Sequence, residues 1–283
     1  MDTIRLYAFA DEAGSSMDDQ VKALLRNGLQ GIEIRGVDGV NISAISTEKA
    51  KEVRKLLDDN GLVTWSIGSP IGKIRLTEDF EKHKDLLRHT LEIAKILDAK
   101  NMRIFSFYLP KAEDHAIHRQ AVLDRLASLL EISENYNVTF CHENEKGIYG
   151  DTARHCWDLL DALPQLQGIF DPANFVQCGE ETWNAWNLLK ERIHYLHIKD
   201  ALGDSSVVPA GLGDGNILCI VKDYLSRGGR DMTIEPHLME FDGLKDLEES
   251  GDTSVVGKRF VYPSADVAFD AGCDALRKIL AEV

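Results

Sequence analysis

Eight short β-branched or apolar runs recur along the chain, each followed by a longer amphipathic stretch, and this alternation limits the fold more than any other feature of the sequence. The runs cover residues 4–10, 31–35, 63–67, 102–107, 138–143, 168–171, 194–199 and 232–235. Helical patterns lie between them, among them residues 17–26, 47–59, 79–97, 116–135 and 217–227. In Lys84-Asp-Leu-Leu-Arg-His-Thr-Leu-Glu-Ile-Ala-Lys-Ile-Leu97 the apolar positions return every three or four residues, which marks one face of a helix. Asn60-Gly61 and Gly228-Gly229 stand where C-capping glycines end a helix before the next strand. Regular βα alternation with parallel strands predicts an α/β fold, and eight units predict closure into a (β/α)8 TIM barrel. A length of 283 residues suits one such barrel of ~250 residues plus a loop insertion. No GxGxxG turn follows the first run, which argues against an open dinucleotide-binding sheet. Residues 1–283 are therefore read as a single barrel domain.

One segment breaks the alternation. Residues 240–264, rich in Asp, Glu, Gly and Ser, follow the eighth run and are expected to form a loop insertion at the catalytic mouth. Two readings stay open for it, a solvated surface loop and a lid, because loops longer than ~12–15 residues in compact domains are often functional.

Composition narrows the function classes. A net charge of -15 repels phosphate backbones and argues against a nucleic-acid partner. No stretch approaches ~20 apolar residues, so no membrane span is expected. The first residues, Met1-Asp-Thr-Ile-Arg-Leu-Tyr-Ala8, lack a basic region followed by an apolar block and read as a strand rather than a secretory signal. The five cysteines, at 141, 156, 178, 219 and 273, include no CxxC pair. That count and spacing fit a reducing, cytoplasmic setting better than a disulfide framework.

In barrels of this kind, polar residues at the C-terminal ends of the strands build the active site. The last four runs end in Cys141-His-Glu-Asn144, Phe170-Asp-Pro172, Leu196-His-Ile-Lys-Asp200 and Ile234-Glu-Pro-His237. Each supplies one candidate ligand: Glu143, Asp171, His197 and Glu235. Neighbouring strands lie ~4.8 Å apart, so side chains at one height can converge on a single ion. Taken singly, each residue is as easily a cap, an ion pair or a packed ring; four in order, on successive strands and at the same end, point to a metal site. Three carboxylates and one imidazole suit one divalent metal ion, Mn²⁺ or Mg²⁺ best, with Co²⁺ or Zn²⁺ also compatible.

These segments resemble the xylose isomerase-like barrel superfamily, the sugar isomerases, epimerases and dehydratases related to AP endonuclease family 2. The similarity begins at Phe9-Ala-Asp-Glu12 and continues through Gly31-Ile-Glu-Ile-Arg35. It is strongest in His142-Glu-Asn144, Phe170-Asp-Pro-Ala-Asn174, His197-Ile-Lys-Asp200, the glycine-rich Pro209-Ala-Gly-Leu-Gly-Asp-Gly215 and Ile234-Glu-Pro236. The resemblance implies that Glu143, Asp171, His197 and Glu235 are the metal ligands and that Glu143 and Glu235 are the catalytic acid/base pair. It also implies an isomerase or epimerase of carbohydrate metabolism that acts on a small sugar or polyol through an enediolate, and a homodimer. A lyase, such as a dehydratase of an inosose-like or dehydroshikimate-like substrate, would share the first proton abstraction. A non-catalytic sugar-binding protein on the same scaffold is the third reading.

Three further residues are candidate substrate contacts. Asn174 stands where many members have a substrate-touching histidine. Lys199 lies two residues beyond His197, on the same strand face, and can bind a substrate oxygen or pair with an acid of the ligand shell. His237 has the same relation to Glu235 and can donate a proton, hold a hydroxyl or simply pack in a loop. Glu33 and Arg35 are expected to pair inside the barrel or to frame the pocket. Trp183 and Trp186 are expected to pack in the core. A three-zinc endonuclease is excluded, because Ser66-Ile-Gly68 and Phe105-Ser-Phe107 lack its early histidines, Val208-Pro-Ala210 replaces its Asp-x-His, and Asn174 removes a ligand.

Overall fold

The computed structural model describes residues 3–110, 113–241 and 255–283. Eight parallel strands close into a barrel: β1 (Arg5–Ala8), β2 (Gly31–Ile34), β3 (Val63–Ile67), β4 (Asn101–Ile104), β5 (Thr139–Glu143), β6 (Gln167–Phe170), β7 (Ile193–Ile198) and β8 (Asp231–Ile234). Each pairs with its neighbours in chain order, and β8 closes on β1 through Arg5 opposite Asp231 and Ala8 opposite Ile234. The helices among the described residues are α1 (Met17–Arg26), α2 (Thr47–Asp59), α3 (Phe80–Ile96), α4 (His115–Ser133), α5 (Ala153–Ala162), α6 (Pro172–Gln177), α7 (Thr182–Leu189), α8 (Ile217–Ser226) and α9 (Ala265–Leu280). None is long and apolar enough to cross a membrane.

Local chemistry explains where the helices begin. Ser16, Ser46, Asp79, Asp114, Thr152 and Ser264 each accept a backbone N–H of the first turn, satisfying donors that the helix itself cannot reach. The expected first and fourth strands end early. Beyond Ala8 the chain enters a 3-10 turn at Ala10–Glu12, and beyond Ile104 it turns outward, with Phe105 N–H bonded to Ile71 O at 2.8 Å and Phe107 at a φ of 67°.

The core has two layers. Outward-facing strand residues such as Ile32, Ile34, Met102, Ile104, Phe170, Leu196, Ile198, Met232 and Ile234 pack against the helices. Trp186 is fully buried in this shell, and Trp183 packs against it, as expected. Inside the barrel, the lower half is filled by Tyr7, Trp65, Cys141, Ile169 and Tyr195. Of the expected loop 240–264, residues 242–254 lie outside the described residues. Its described end is anchored: Val255 exchanges backbone hydrogen bonds with Ser205 and Val207, at 3.0 and 3.1 Å, and Arg259 pairs with Asp204 at 2.9 Å.

Candidate metal centre at the barrel mouth

Strand alternation decides which side chains enter the barrel. On β7, Tyr195, His197 and Lys199 form one set, and Leu196 and Ile198 face the helices. Register then sets the heights. Phe170 pairs with Leu196, so Asp171 stands level with His197; Thr233 pairs with His197, so Glu235 stands two residues above; Glu143 pairs with Ile169, two below Asp171. One ligating atom from each of Glu143, Asp171, His197 and Glu235 lies within 4.8 Å of all the others, and all four residues are buried.

Their orientations are fixed from outside. Arg103 Nη1 donates to Glu143 Oε2 at 3.1 Å, and Arg35 Nη1 donates to Glu235 Oε1 at 3.0 Å. The remaining oxygens, Glu143 Oε1 and Glu235 Oε2, lie 2.9 and 3.3 Å from His197 Nδ1. Asp171 caps α6: its Oδ1 accepts the Asn174 N–H at 3.0 Å, and its Oδ2 turns inward, 2.8 Å from Lys199 Nζ. On the far side of the imidazole, His197 Nε2 lies 3.1 Å from Glu33 Oε2. Glu33 also accepts from Tyr195, Ser66 and Thr233 hydroxyls at 2.9, 3.2 and 2.8 Å. Those donors hold the Glu33 carboxylate in place behind the imidazole, the usual support of a metal-binding histidine, and against burial the Glu143 and Glu33 carboxylates on either side raise the ring well above the usual histidine range, so that Nδ1 also carries a proton toward Glu143.

The electrostatics fit a bound dication. Six buried carboxylates, from Asp11, Glu12, Glu33, Glu143, Asp171 and Glu235, face three permanent buried cations, Arg35, Arg103 and Lys199. Burial pushes the Asp171 carboxyl up to about 7 even beside Lys199, and pushes Glu12 up to about 8 even beside Arg35. For Glu143, burial opposes the charge, but His197 and Arg103 outweigh it and hold the group at about 2. Glu235 is likewise held well below its usual range, with Lys199 and the hydrogen-bonding approach of His197 overcoming burial. Asp171 Oδ2 and Glu235 Oε2 are buried without an aligned hydrogen bond among the described residues. Three carboxylate oxygens and an imidazole nitrogen directed at one point form a donor set that suits a hard or borderline divalent cation, which would take the place of the His197 proton and of the Lys199 contact with Asp171.

The other expected residues surround this cluster. Lys199 Nζ approaches Asp171 at 2.8 Å and Glu235 at 3.5 Å, so it pairs with acids of the candidate ligand set. His237 is buried at a φ of 46°, its N–H donating to Glu12 Oε2 at 2.7 Å and its Nε2 lying 3.3 Å from Glu235 and 3.4 Å from Glu12. Burial keeps it neutral, down at about 4. Asn174 donates to the Asn144 carbonyl at 2.9 Å and lies 3.5 Å from Glu143 Oε1.

Glu33 and Arg35 do not pair with each other. Glu33 supports His197, while Arg35 bridges Asp11, Glu12 and Glu235. Arg103 and Glu12 are participants that sequence reasoning passes over. A signal for Arg103 was present in Asn101-Met-Arg-Ile104, where a charge interrupts an apolar strand. Asp200 organises the glycine loop: its carboxylate accepts N–H groups of Gly211, Gly213 and Gly215 at 2.8, 2.9 and 2.9 Å. A Cβ on Gly215 would lie 2.6 Å from Asp200 Oδ1, so the loop can close on this carboxylate only through glycine.

A closed eight-stranded parallel barrel with acids and a histidine gathered at its C-terminal mouth defines a class, and the comparisons agree. The family model for the xylose isomerase-like TIM barrel matches residues 21–228, and the chain belongs to that family. The 3-dehydroshikimate dehydratase of Bacillus anthracis is 23% identical over 187 residues, a match spanning 65% of this chain and 66% of that relative's length. Among solved structures, the probable 3-DHS dehydratase AsbF of Bacillus anthracis superposes with a TM-score of 0.74 at 18% identity, covering 98% of this chain and 99% of the other. The IolI protein with a binding zinc atom superposes with a TM-score of 0.74 at 13% identity, covering 99% of both chains. D-Allulose 3-epimerase from Methylomonas sp. gives 0.73 at 16%, covering 100% of this chain and 98% of the other. At these identities the structural likenesses establish the shared fold.

Proposed function

We propose that the chain is a metal-dependent enzyme that removes a proton beside the carbonyl of a small sugar- or polyol-derived ketone, and that it acts as an isomerase or epimerase. The observation that carries this reading is the convergence of Glu143, Asp171, His197 and Glu235 within 4.8 Å at the ends of four successive strands. These four residues would hold one divalent ion, Mn²⁺ or Mg²⁺ best by donor type, with Co²⁺ or Zn²⁺ also suited. When bound, such an ion supplies Lewis-acid stabilisation of negative charge developing on substrate oxygens.

The chain's own groups account for the proton transfers. Glu143 and Glu235 are the acid/base pair, kept ionised by cationic neighbours and aimed by Arg103 and Arg35. The two converge on one point from separate strands, so one can remove a proton while the other returns it. Lys199 exchanges its contact with Asp171 for a substrate oxygen, His237 holds a hydroxyl, and Asn174 borders the same space. Loss of water is the second reading, favoured by the similarity to a 3-dehydroshikimate dehydratase. It would start with the same proton removal and then expel a β-hydroxyl, the departing oxygen taking its proton from the Lys199 ammonium, while the neutral His237 holds it in place.

The deciding experiment supplies ketohexoses, ketopentoses, inososes and dehydroshikimate in heavy water with each divalent metal. An isomerase or epimerase exchanges the α-hydrogen with solvent and forms a stereoisomer or positional isomer. A dehydratase forms an unsaturated product that absorbs in the ultraviolet. Tight binding of a sugar or polyol without exchange or turnover at saturating metal would overturn the enzyme reading in favour of a sugar-binding protein.

A further inference from the structure

A second group of ligating atoms converges on the rim, outside the barrel. His115 opens α4, Asp151 ends the 3-10 turn Tyr149–Asp151, and His155 lies four residues further on, in the first turn of α5. The three side chains are 22%, 22% and 31% exposed, so the cluster is sheltered on one side and open on the other. His155 Nδ1 lies 2.9 Å from Asp151 Oδ1, His115 Nδ1 lies 3.3 Å from His155 Nδ1, and His115 Nδ1 lies 3.6 Å from Asp151 Oδ1.

A hydrogen bond from His155 Nδ1 to Asp151 Oδ1 accounts for the 2.9 Å edge and leaves the other two, at 3.3 and 3.6 Å, without a well-formed bond of their own. One proton on His155 Nδ1 can serve Asp151 or His115, and a proton on both imidazole nitrogens would set two N–H groups against each other. A cation at the centre satisfies all three approaches together. In a tetrahedral zinc site with bonds of ~2.0–2.1 Å, neighbouring ligand atoms stand about 3.3 Å apart, and the three observed edges straddle that spacing. The nearby Asp158 is already engaged: it accepts from Arg119 Nε and Nη2, at 2.8 and 2.9 Å, and from the Tyr149 hydroxyl at 2.8 Å. The local field also favours positive charge. The hydrogen bond that His155 donates to Asp151 raises the His155 pKa against the effect of burial, and Asp158 and Glu180 add to it.

We propose that His115 Nδ1, Asp151 Oδ1 and His155 Nδ1 form a second metal site, for one zinc-type divalent cation, with the fourth position open to solvent. The ion would clip the connection before α4 to the connection before α5 at the edge of the mouth. This site shares no ligand with the barrel centre, and the inference does not depend on the function proposed above.

The test compares metal-stripped full-length protein, the His115→Ala/His155→Ala double variant, Asp151→Asn and Asp171→Ala after equilibrium dialysis against micromolar Zn²⁺. The double variant and Asp151→Asn are expected to hold one zinc fewer per chain than wild type, whatever the barrel centre binds. With Co²⁺ as the probe, the visible absorption of a tetrahedral site should be lost in the double variant and kept in Asp171→Ala. Circular dichroism confirms folding, and a His115→Gln/His155→Gln pair repeats the measurement with polar side chains retained. Equal zinc content in wild type and either folded double variant would overturn the site.

Discussion

In the lower half of the barrel, Tyr7 stacks on Trp65 at 4.8 Å and Tyr195 meets Trp65 edge-on at 5.6 Å. In the upper half, at the other end of the same strands, the interior is made of carboxylates, guanidiniums, an ammonium and imidazoles. The floor is apolar surface and aromatic contact, which fold a chain without specifying chemistry. The mouth is ionic groups withdrawn from water, whose desolvation favours folding only where each charge finds a partner. Tyr195 and Glu33 join the two: the ring packs with the floor while its hydroxyl donates to the carboxylate under His197. Stability and chemistry are thus divided along the barrel axis.

The largest effect that would test this division is catalytic. Glu235→Gln keeps side-chain size, and Arg35 keeps Asp11 and Glu12 as partners. We expect turnover to fall by about 10²–10⁴-fold, the range for loss of a positioned acid or base, with the thermal midpoint of the metal-free protein changed far less than the rate. Steady-state rates beside thermal denaturation check both halves of the statement, and a collapsed fold with unaltered rate per folded molecule would contradict it. Trp65→Ala should do the reverse. It removes the ring that joins Tyr7 to Tyr195 and should cost about 3 kcal/mol of stability by denaturant titration. Metal uptake per folded chain should be unchanged.

Two smaller effects sharpen the boundary. Withdrawing metal with a chelator should lower the thermal midpoint reversibly, by the equivalent of about 2.7 kcal/mol where free metal had been 100 times its dissociation constant. In the His115→Ala/His155→Ala protein the same treatment should still lower it, because the barrel centre remains. Glu33→Gln, which touches no proposed ligand atom of the centre except through the His197 ring, should weaken metal binding about 10–100-fold. Calorimetric titration measures this, and full affinity in the variant would mean that the carboxylate beneath His197 belongs to the floor alone.

Much of this arrangement is legible in the sequence because the barrel repeats one simple rule. Inward residues alternate with outward ones, so Glu143, Asp171, His197 and Glu235 show themselves at the ends of apolar runs. The helices read at 17–26 and 47–59 stand where the structure has them for a similar local reason, since the Ser16 and Ser46 caps lie within three residues of the N–H they hold. What holds the candidate ligands is not local. Arg35 meets Glu235 and His197 meets Glu33 across separations of 200 and 164 residues. The sequence places Glu33 and Arg35 on one strand face and suggests a mutual pair, but the closed barrel gives each a partner on another strand. Arg103 escapes notice because its partner Glu143 lies 40 residues away and on the next strand.

The Asp200 carboxylate has a consequence beyond the site itself. Because it grips the loop 209–215 by backbone amides, the shape of that loop depends little on its side chains, apart from Asp214, whose Oδ2 accepts the Gly203 N–H at 2.8 Å. Leu212 stands 59% exposed between two of the gripped glycines. A library that holds Asp200, Asp214 and the three glycines constant and varies position 212 should therefore yield folded members at high frequency, each presenting a different edge of the glycine loop. Diversification of this kind costs the scaffold little, and it offers a route by which one barrel acquires new specificities in single steps.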